Sequence, residues 1–376
     1  MSGARRRRVS SGSVAGEAAV APSSLMAGEI AEQPSAVERT LVAMASYRQE
    51  VSRLLRRARF VVFLAHGTSA HAALYGQYVL ATYAGIPSFA MPVSIATDYA
   101  AEIDLQGAVA IGISQSGATE DVVDALMWAR SRGAGTLAIT NEAMSALAGL
   151  ADVALVTMAG PEQAIPATKT FLSQLAALAT VGLAALGEHR ELEDGLSRLP
   201  DELARVLGSV FDLDAYSAAV AAASQVAVVG AGCAHPVALE IALKFRETAY
   251  LAVSGFAARE FVHGPTAVLG EDAALVLVGL SRGTTLLQCR ALADLARSRN
   301  TPLVVIGGDG RSGGDSGEWV PAPELPEVLQ PLGLVLPGQV LAERIAKNLG
   351  YDPDRPRGLV KVTDPPTVLR DVVTPD

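Results

Sequence analysis

The chain has little cysteine, few aromatic residues and almost no clustered positive charge. Cys233 and Cys289 are its two cysteines among 376 residues, and no CxxC spacing occurs, which excludes a disulfide framework and fits a reducing cytoplasm. The formal net charge is −9, and the one basic run is residues 5–8, so duplex nucleic acid is excluded as a partner. These absences leave a cytoplasmic protein of small-molecule chemistry as the expectation.

Long hydrophobic runs are also missing. No apolar stretch reaches about 18 residues without a polar interruption, so no membrane-spanning helix and no membrane partner are predicted. The longest candidate, residues 172–186, contains Ser173 and Gln174 and is interpreted as a buried helix. Residues 1–25 lack the apolar core of a signal peptide, because Glu17 interrupts it, and are predicted to be a disordered extension.

An internal duplication organises the rest. Apolar runs that end in glycine occur at residues 63–67 and 226–230, and each is followed by a helical pattern and further strand–helix alternation. Buried strands that alternate with helices predict an α/β protein with parallel sheets covered on both faces. We expect modules over residues 26–195 and 196–350, with a charged link at 188–198 and a proline-rich tail, 351–376, lying extended across the body. Helices are predicted at 35–57 and 337–348, among others.

The first module carries a hydroxyl-rich turn. Ser114-Gln115-Ser116-Gly117-Ala118-Thr119 follows a predicted strand and opens a predicted helix. Backbone N–H groups at a helix N-terminus attract anions, and the hydroxyls add donors, so we interpret this turn as a phosphate site. The alternative is an ordinary helix cap with a turn. No Gly-Lys-Ser/Thr follows, so the turn is not a Walker A loop.

The second module carries the acid–base candidates. Glu240, Lys244 and Glu247 share one face of a helix predicted at 236–250 that is otherwise largely apolar. Burying charges on such a helix costs free energy unless the charges are paired or functional. The alternative is an exposed salt-bridge ladder, which would require a broad polar face on the helix. His263, held before Gly-Pro, is a further catalytic candidate. The remaining histidines show no metal-ligand spacing, so no metal is predicted.

In combination these motifs resemble the SIS (sugar isomerase) superfamily. The resemblance covers about residues 26–370 and is strongest to the isomerase half of the glutamine–fructose-6-phosphate aminotransferases and to the stand-alone deaminases. It implies a flavodoxin-like three-layer sandwich in each of two tandem SIS modules. The motifs that carry it are His66-Gly67-Thr68-Ser69, Ser114-Gln115-Ser116-Gly117, Ala167-Thr168-Lys169, Glu240-x-Ala242-Leu243-Lys244-x-x-Glu247, His263-Gly264-Pro265 and Asp354-x-Pro356-Arg357-x-Leu359-x-Lys361.

The resemblance also implies roles for individual residues. Glu247 would move a proton between C1 and C2 of a phosphorylated amino sugar, and Lys244 would support the developing charge. His263 would assist ring opening from the neighbouring subunit of a homodimer, and Lys361 would meet the open-chain carbonyl. The substrate-binding set would be Gly67, Thr68, Ser69, Ser114, Gln115, Ser116, Thr119, Ile165 and Glu240. No organic cofactor is implied.

The direction of the reaction is a further expectation. Ser2 stands where the aminotransferases have a catalytic cysteine, and only about 60 residues precede the first predicted strand, so glutamine hydrolysis is not expected. The favoured hypothesis is therefore conversion of glucosamine 6-phosphate to fructose 6-phosphate and ammonia. The alternatives are a phosphosugar aldose–ketose isomerase, a sugar-phosphate dehydratase, and a non-catalytic sugar-phosphate sensor.

Overall fold

The computed structural model describes residues 24–210, 213–283, 285–313 and 319–361. Most of the predicted N-terminal extension and the end of the tail, residues 362–376, therefore lie outside the described residues. Residues 24 and 25, which the prediction places in the extension, belong to the start of a helix. Ser24 caps a first helix, α1 (Leu25–Ala31), by accepting a hydrogen bond from the N–H of Ala27.

Five parallel strands form the first sheet, in the order β2-β1-β3-β4-β5. Their bounds are β1 (Phe60–Ala65), β2 (Ser88–Ala90), β3 (Ala108–Ile113), β4 (Gly135–Thr140) and β5 (Val153–Val156). Strand β3 is buried along its whole length, and β1 along its four central residues. Apolar side chains on both faces are what a parallel sheet covered by helices requires.

The second sheet repeats this arrangement with the order β7-β6-β8-β9-β10, again parallel throughout. Its strands are β6 (Gln225–Gly230), β7 (Val253–Ala257), β8 (Ala273–Gly279), β9 (Leu303–Gly307) and β10 (Trp319–Val320). Numbered within each module, both sheets have the 2-1-3-4-5 order of flavodoxin-like folds. The predicted α/β architecture with two parallel sheets flanked by helices is thereby confirmed.

Helices cover both faces of each sheet. Before and within the first module they are α2 (Gln33–Ala45), α3 (Arg48–Leu55), α4 (Gly67–Thr82), α5 (Ser94–Thr97), α6 (Glu120–Ser131), α7 (Ala146–Leu150) and α8 (Lys169–Leu186). The remaining ones are α9 (Arg190–Gly208), α10 (Asp214–Ala222), α11 (His235–Ala249), α12 (Ala258–Phe261), α13 (Thr285–Ser298), α14 (Gly310–Gly313) and α15 (Gln330–Asn348). Short 3₁₀ turns occur at Gly232–Ala234, Pro265–Val268 and Glu327–Leu329.

One helix was missed and two were given wrong bounds. Residues 190–198 of the predicted charged link are the first part of the 19-residue helix α9, whose buried Leu192, Leu196, Leu199 and Leu203 form one apolar stripe. The single helix expected at 35–57 is broken in two between Ala45 and Arg48. The last helix begins at Gln330, so Pro337 lies inside it rather than at its start.

Strands β2, β7 and β10 were missed. Strands β2 and β10 are short, at three and two residues, and all three are edge strands. An edge strand needs less apolar sequence than a central one, since fewer of its side chains are enclosed. Strand β7 shows this, since only Val253 of its five residues is buried.

Helix α8 lies in the core between the modules and contacts α2, α3, α4 and α15. It is the one described helix that is long and apolar enough to cross a membrane. However, 83% of its 18 residues are buried inside the protein. Fifteen of its eighteen residues are buried, Ser173 and Gln174 included. The prediction of a buried helix over residues 172–186 is confirmed.

Candidate active site

A cavity of about 470 Å³ opens where the first sheet's strands end. It lies between the loops that follow β1 and β3, which is the position where the strand order reverses and where ligands bind in folds of this type. All the predicted site residues except Glu240 and His263 line it. The lining residues are His66, Gly67, Thr68, Ser69, Ile113, Ser114, Gln115, Ser116, Thr119, Asp121, Val122, Ile165, Ala167, Thr170, Gln174, Lys244, Glu247, Leu359, Val360 and Lys361.

The loop after β3 forms the hydroxyl-rich wall of this cavity. Ser114 Oγ lies 3.0 Å from Oγ1 of Thr119 and accepts the N–H of Gly117 at 3.1 Å. Ser116 Oγ accepts the N–H of Ala118 at 3.2 Å. These internal bonds tie the turn to the first residues of α6, so that the N-terminus of α6 and three hydroxyls face one space. Such a set of donors suits an anion.

Gly117 is required by the shape of this turn. Its φ is +59°, and a Cβ placed on it would lie 2.1 Å from Oγ of Ser145 and 2.7 Å from Oγ1 of Thr140. A side chain is therefore excluded by both the backbone conformation and the space. Because residue 117 is a glycine, the loop can pack against the end of β4 while the hydroxyls of Ser114, Ser116 and Thr119 stay on the cavity side.

Helix α4 supplies the second wall. It starts at Gly67, whose φ of +52° turns the chain from β1 into the helix. Ser69 is nearly buried, and its Oγ accepts a hydrogen bond from Nε2 of Gln174 on α8 at 3.1 Å. This bond connects the first turn of α4 to the central helix α8 and orients the Ser69 hydroxyl beside the loop after β3.

The charged stripe of α11 enters the cavity from the second module. Nζ of Lys244 lies 2.5 Å from Oε2 of Glu247, 3.3 Å from Oε1 of Glu240 and 3.3 Å from Oγ1 of Thr68. The side chains of Glu240 and Lys244 are 0% and 1% exposed, and that of Glu247 is 21% exposed. The alternative of an exposed salt-bridge ladder is therefore wrong, because two of the three charges are enclosed.

Burial and charge oppose each other in this stripe. Burial raises the pKa of the Glu240 carboxyl, but Lys244, His71 and Thr68 outweigh it and lower that pKa below its ordinary value of 4.5. For Lys244 burial lowers the pKa, and the two glutamates reverse the effect and hold it well above 10.5. Glu240 is thus ionised and Lys244 protonated at neutral pH.

Sequence reasoning assigned Glu240 to the substrate and gave His71 no role. In the structure Glu240 lies behind the cavity wall, where His71 Nδ1 lies 2.8 Å from its Oε2 and Thr68 Oγ1 donates to its Oε1 at 3.0 Å. Thr68 and His71 stand three residues apart on α4, so they share a face of that helix. That spacing was the signal that could have identified His71.

Glu162 is a second residue that sequence reasoning left without a role. Its carboxylate accepts the N–H groups of Thr168 and Thr170 at the start of α8, at 2.9 and 3.1 Å, and the Thr170 hydroxyl at 2.7 Å. Lys361 Nζ donates to Glu162 Oε2 and to the carbonyl of Ala164, both at 2.7 Å. A buried carboxylate thus holds the tail lysine at the edge of the cavity.

The described part of the C-terminal segment, residues 351–361, reaches this position by crossing the first module. Asp354 accepts the N–H groups of Leu25 and Met26 at the start of α1, both at 2.8 Å. Its own carbonyl accepts the N–H of Ile165, which places the tail against a cavity-lining residue.

His263 is not brought to the cavity of its own chain. It is exposed, just after α12, next to Val262, which is 50% exposed. Its role therefore stays a prediction. Among the described residues no group of three or more His, Cys, Asp or Glu side chains is arranged to hold a metal ion.

Comparisons with known proteins agree with this architecture. A family model described as SIS domain matches residues 54–184 and 220–313. A glutamine–fructose-6-phosphate aminotransferase [isomerizing] of Streptomyces coelicolor is 36% identical over 362 residues, which cover 90% of this chain and 58% of that protein. The chain thus spans less than three fifths of this relative's length.

Two solved structures show the same fold over most of the chain. A candidate phosphosugar isomerase from Silicibacter pomeroyi superposes with a TM-score of 0.80 at 27% identity, covering 88% of this chain and all of that one. The glucosamine-6-phosphate deaminase of Thermotoga maritima gives a TM-score of 0.70 at 22% identity, covering 91% of this chain and all of that one.

Proposed function

The chain belongs to the SIS domain family, and we propose that it is an amino-sugar-phosphate isomerase that releases ammonia. The substrate is glucosamine 6-phosphate and the products are fructose 6-phosphate and ammonia. The observation that carries the proposal is one cavity lined both by the anion-binding loop at Ser114 and by the Glu247–Lys244 pair. The relatives named as isomerizing aminotransferases and the deaminase from Thermotoga maritima support the choice of an amino sugar.

Binding starts at the phosphate. The hydroxyls of Ser114, Ser116 and Thr119 and the N-terminus of α6 hold its oxygens, and Ser69 adds a donor from α4. This anchors C6, and the carbon chain then extends toward α11. Binding energy from the phosphate, which takes no part in the reaction, is what orients C1 and C2 at the base.

Glu247 carries the proton. In the open-chain form the C1 carbonyl acidifies the C2–H bond, and the partly exposed Glu247 carboxylate removes that proton and returns it to C1. Its Oε2 is held by Lys244, and the described residues place no protein donor on Oε1. The resulting ketose imine adds water at C2 and expels ammonia, so that one water is consumed for each ammonia released.

Lys244 and Lys361 stabilise negative charge during this transfer. Lys244 is fixed beside Glu247 and stays protonated because two glutamates raise its pKa. Lys361 lines the cavity, and Glu162 together with the Ala164 carbonyl uses two of its three N–H donors. The third is available for the open-chain carbonyl oxygen of the sugar.

The decisive experiment is incubation with glucosamine 6-phosphate, with assays for both ammonia and fructose 6-phosphate. Equal amounts of the two products are expected. Interconversion of glucose 6-phosphate and fructose 6-phosphate without turnover of the amino sugar would instead identify a plain aldose–ketose isomerase. Binding of sugar phosphates with no turnover of either would support a sensor, and a dehydrated sugar product would identify a dehydratase.

We also propose that His263 completes the active site of a second subunit in a homodimer. It is exposed and lies outside its own chain's cavity, which is what a residue donated to a partner requires. Glu247→Gln and His263→Ala subunits, each inactive alone, should regain activity when mixed, because one of the mixed sites then contains both groups. Mixtures that stay inactive despite forming dimers would refute this assignment.

A further inference from the structure

Two side chains of the first module hold the two oxygens of one carboxylate in the second. Thr68 Oγ1 donates to Oε1 of Glu240 at 3.0 Å, and His71 Nδ1 lies 2.8 Å from Oε2. Glu240 is fully buried, and its pKa is lowered, so it is ionised. Since an ionised carboxylate only accepts hydrogen bonds, Nδ1 of His71 carries the hydrogen. This three-residue contact is called the α4–α11 clamp below.

The clamp joins the two helices that carry the halves of the proposed reaction. Helix α4 contributes Gly67, Thr68 and Ser69 to the cavity wall. They lie beside the loop after β3, residues 114–119, which is called the anion loop below. Helix α11 carries Glu247 two turns beyond Glu240, about 10 Å along the helix axis. The position of Glu240 relative to α4 therefore sets how far the base lies from the phosphate.

Lys244 transmits this position to Glu247. Its ammonium group donates to Thr68 Oγ1 and Glu247 Oε2 and forms an ion pair with Glu240 Oε1 at 3.3 Å. Two of these three partners, Thr68 and Glu240, belong to the clamp. If the Glu240 carboxylate turns away, Lys244 loses part of its support and is free to move, and Glu247 moves with it.

We propose that His71 is a positioning residue for the proton transfer, acting through Glu240 and Lys244 on Glu247. It is not among the residues that line the cavity, and so does not touch the substrate. The inference rests on the proposed function, because its effect is exerted on that same reaction. A displacement of about 1 Å at a reacting group can cost about 100-fold in rate, so a contact outside the cavity can control turnover.

Three replacements separate hydrogen bonding from packing. His71→Asn puts an amide donor near the position of Nδ1, His71→Leu fills a similar volume without a donor, and His71→Ala removes both. We expect His71→Leu and His71→Ala to lower kcat by about 10- to 100-fold with KM changed less than about threefold. His71→Asn should stay within about threefold of the wild-type kcat, because the clamp re-forms.

His189→Leu is the matched control. His189 accepts the N–H of Leu192 at the start of α9 and belongs to neither the cavity nor the clamp, so its loss should leave kcat unchanged. Equal kcat values for His71→Leu and His71→Asn would overturn the inference, and so would a rise in KM without a loss of kcat. Either result would reduce His71 to a packing residue.

A second measurement keeps the two proposals apart. If the wild-type protein turns over no hexose 6-phosphate, the proposed function fails. Thermal unfolding then tests separately whether His71 holds Glu240 in the clamp. His71→Leu leaves the buried Glu240 carboxylate one donor short, so its Tm should lie below that of His71→Asn. Equal Tm values for these two variants would show that the His71–Glu240 hydrogen bond does not stabilise the contact between α4 and α11.

Discussion

Nζ of Lys244 lies 2.5 Å from Oε2 of Glu247, and the two residues stand three positions apart on α11. This pair is the point at which the second module enters the cavity of the first. Lys244 is also in contact with the buried Glu240, so the pair is anchored on the side of the protein interior. Glu247, on the other side of the pair, is partly exposed to the cavity. A carboxylate held in this way can exchange a proton with a ligand without losing its orientation.

The first prediction concerns Glu247, the proposed base. Glu247→Gln keeps the shape of the side chain but cannot accept the proton, so kcat should fall by at least about 100-fold. Binding of an unreactive hexitol 6-phosphate should stay within a few-fold of wild type, as measured by calorimetry. Glu271→Gln, at an exposed glutamate bonded to Asn300, is the control. Full turnover by Glu247→Gln would exclude this residue as the base.

The second prediction concerns the cost of the buried charges. Lys244→Met leaves the ionised, fully buried Glu240 without the lysine charge, although Thr68 and His71 still contact it, and this should lower the free energy of unfolding by about 3–5 kcal/mol. The double variant Glu240→Gln/Lys244→Met removes both charges and should recover much of that loss. Urea unfolding of the three proteins measures the difference. A double variant less stable than Lys244→Met alone would contradict this account.

The third prediction is the pH range over which this pair stabilises the fold. The pKa of Glu240 is lowered in the folded protein, so its contribution is present above pH 4.5 and is lost as the pH falls through the folded-state pKa. The pKa of Lys244 is raised, so its contribution is complete below pH 10.5 and is lost at higher pH.

The measurement is the difference in unfolding free energy between the wild type and the Glu240→Gln/Lys244→Met double variant. It should be constant between about pH 6 and about pH 9 and should move in favour of the double variant below pH 4.5. A difference that changes steadily through neutral pH would mean that another group titrates in this network.

The anion loop and the charged stripe of α11 could each be predicted because each is a short window of sequence with its own pattern. The hydroxyls around Ser114 follow a buried strand, and Glu240, Lys244 and Glu247 repeat at helical spacing. They meet in one cavity because of the strand order and the packing of the two modules. A short window of sequence carries no information about either. The resemblance to a family supplied that step, and the cavity agrees with it.

The partners of His71 and Glu162 could not be predicted from local sequence, although the three-residue spacing from Thr68 does place His71 on the same face of α4. Those partners, Glu240 and Lys361, are 169 and 199 residues away along the chain. The start of α9 was missed for a different reason. Its charged residues dominate the window at 188–198, although the leucines between them already form a helical stripe.

The fourth prediction tests the anion loop. Ser114→Ala removes a hydroxyl that both lines the cavity and accepts the N–H of Gly117, so the affinity for inorganic phosphate should fall by about tenfold. Ser131→Ala, at the exposed end of α6, is the matched control. Unchanged phosphate affinity in Ser114→Ala would remove this loop from the proposed binding site.

The fifth prediction concerns the segment that carries Lys361. Tyr250 follows the last residue of α11 in a left-handed conformation, φ 56°, and its hydroxyl accepts the N–H of Arg357 at 2.8 Å. The guanidinium of Arg357 lies 4.0 Å above the Tyr250 ring, and the ring of Tyr351 meets the same tyrosine edge-on at 4.9 Å. Lys361 follows four residues after Arg357, so this cluster connects α11 to the tail lysine.

Tyr250→Leu should therefore loosen the tail, because it removes both the hydroxyl and the aromatic face, whereas Tyr250→Phe keeps the cation–π contact. Such a contact contributes about 0.5–2 kcal/mol, so kcat should fall by about twofold to 30-fold in Tyr250→Leu and by less in Tyr250→Phe. Tyr99→Leu, at a tyrosine that is 78% exposed, is the control. Trypsin cleavage after Arg357 should accelerate in the same order as kcat falls, since both depend on how firmly the tail is held. A tail that is released in Tyr250→Leu with no loss of kcat would show that Lys361 takes no part in turnover.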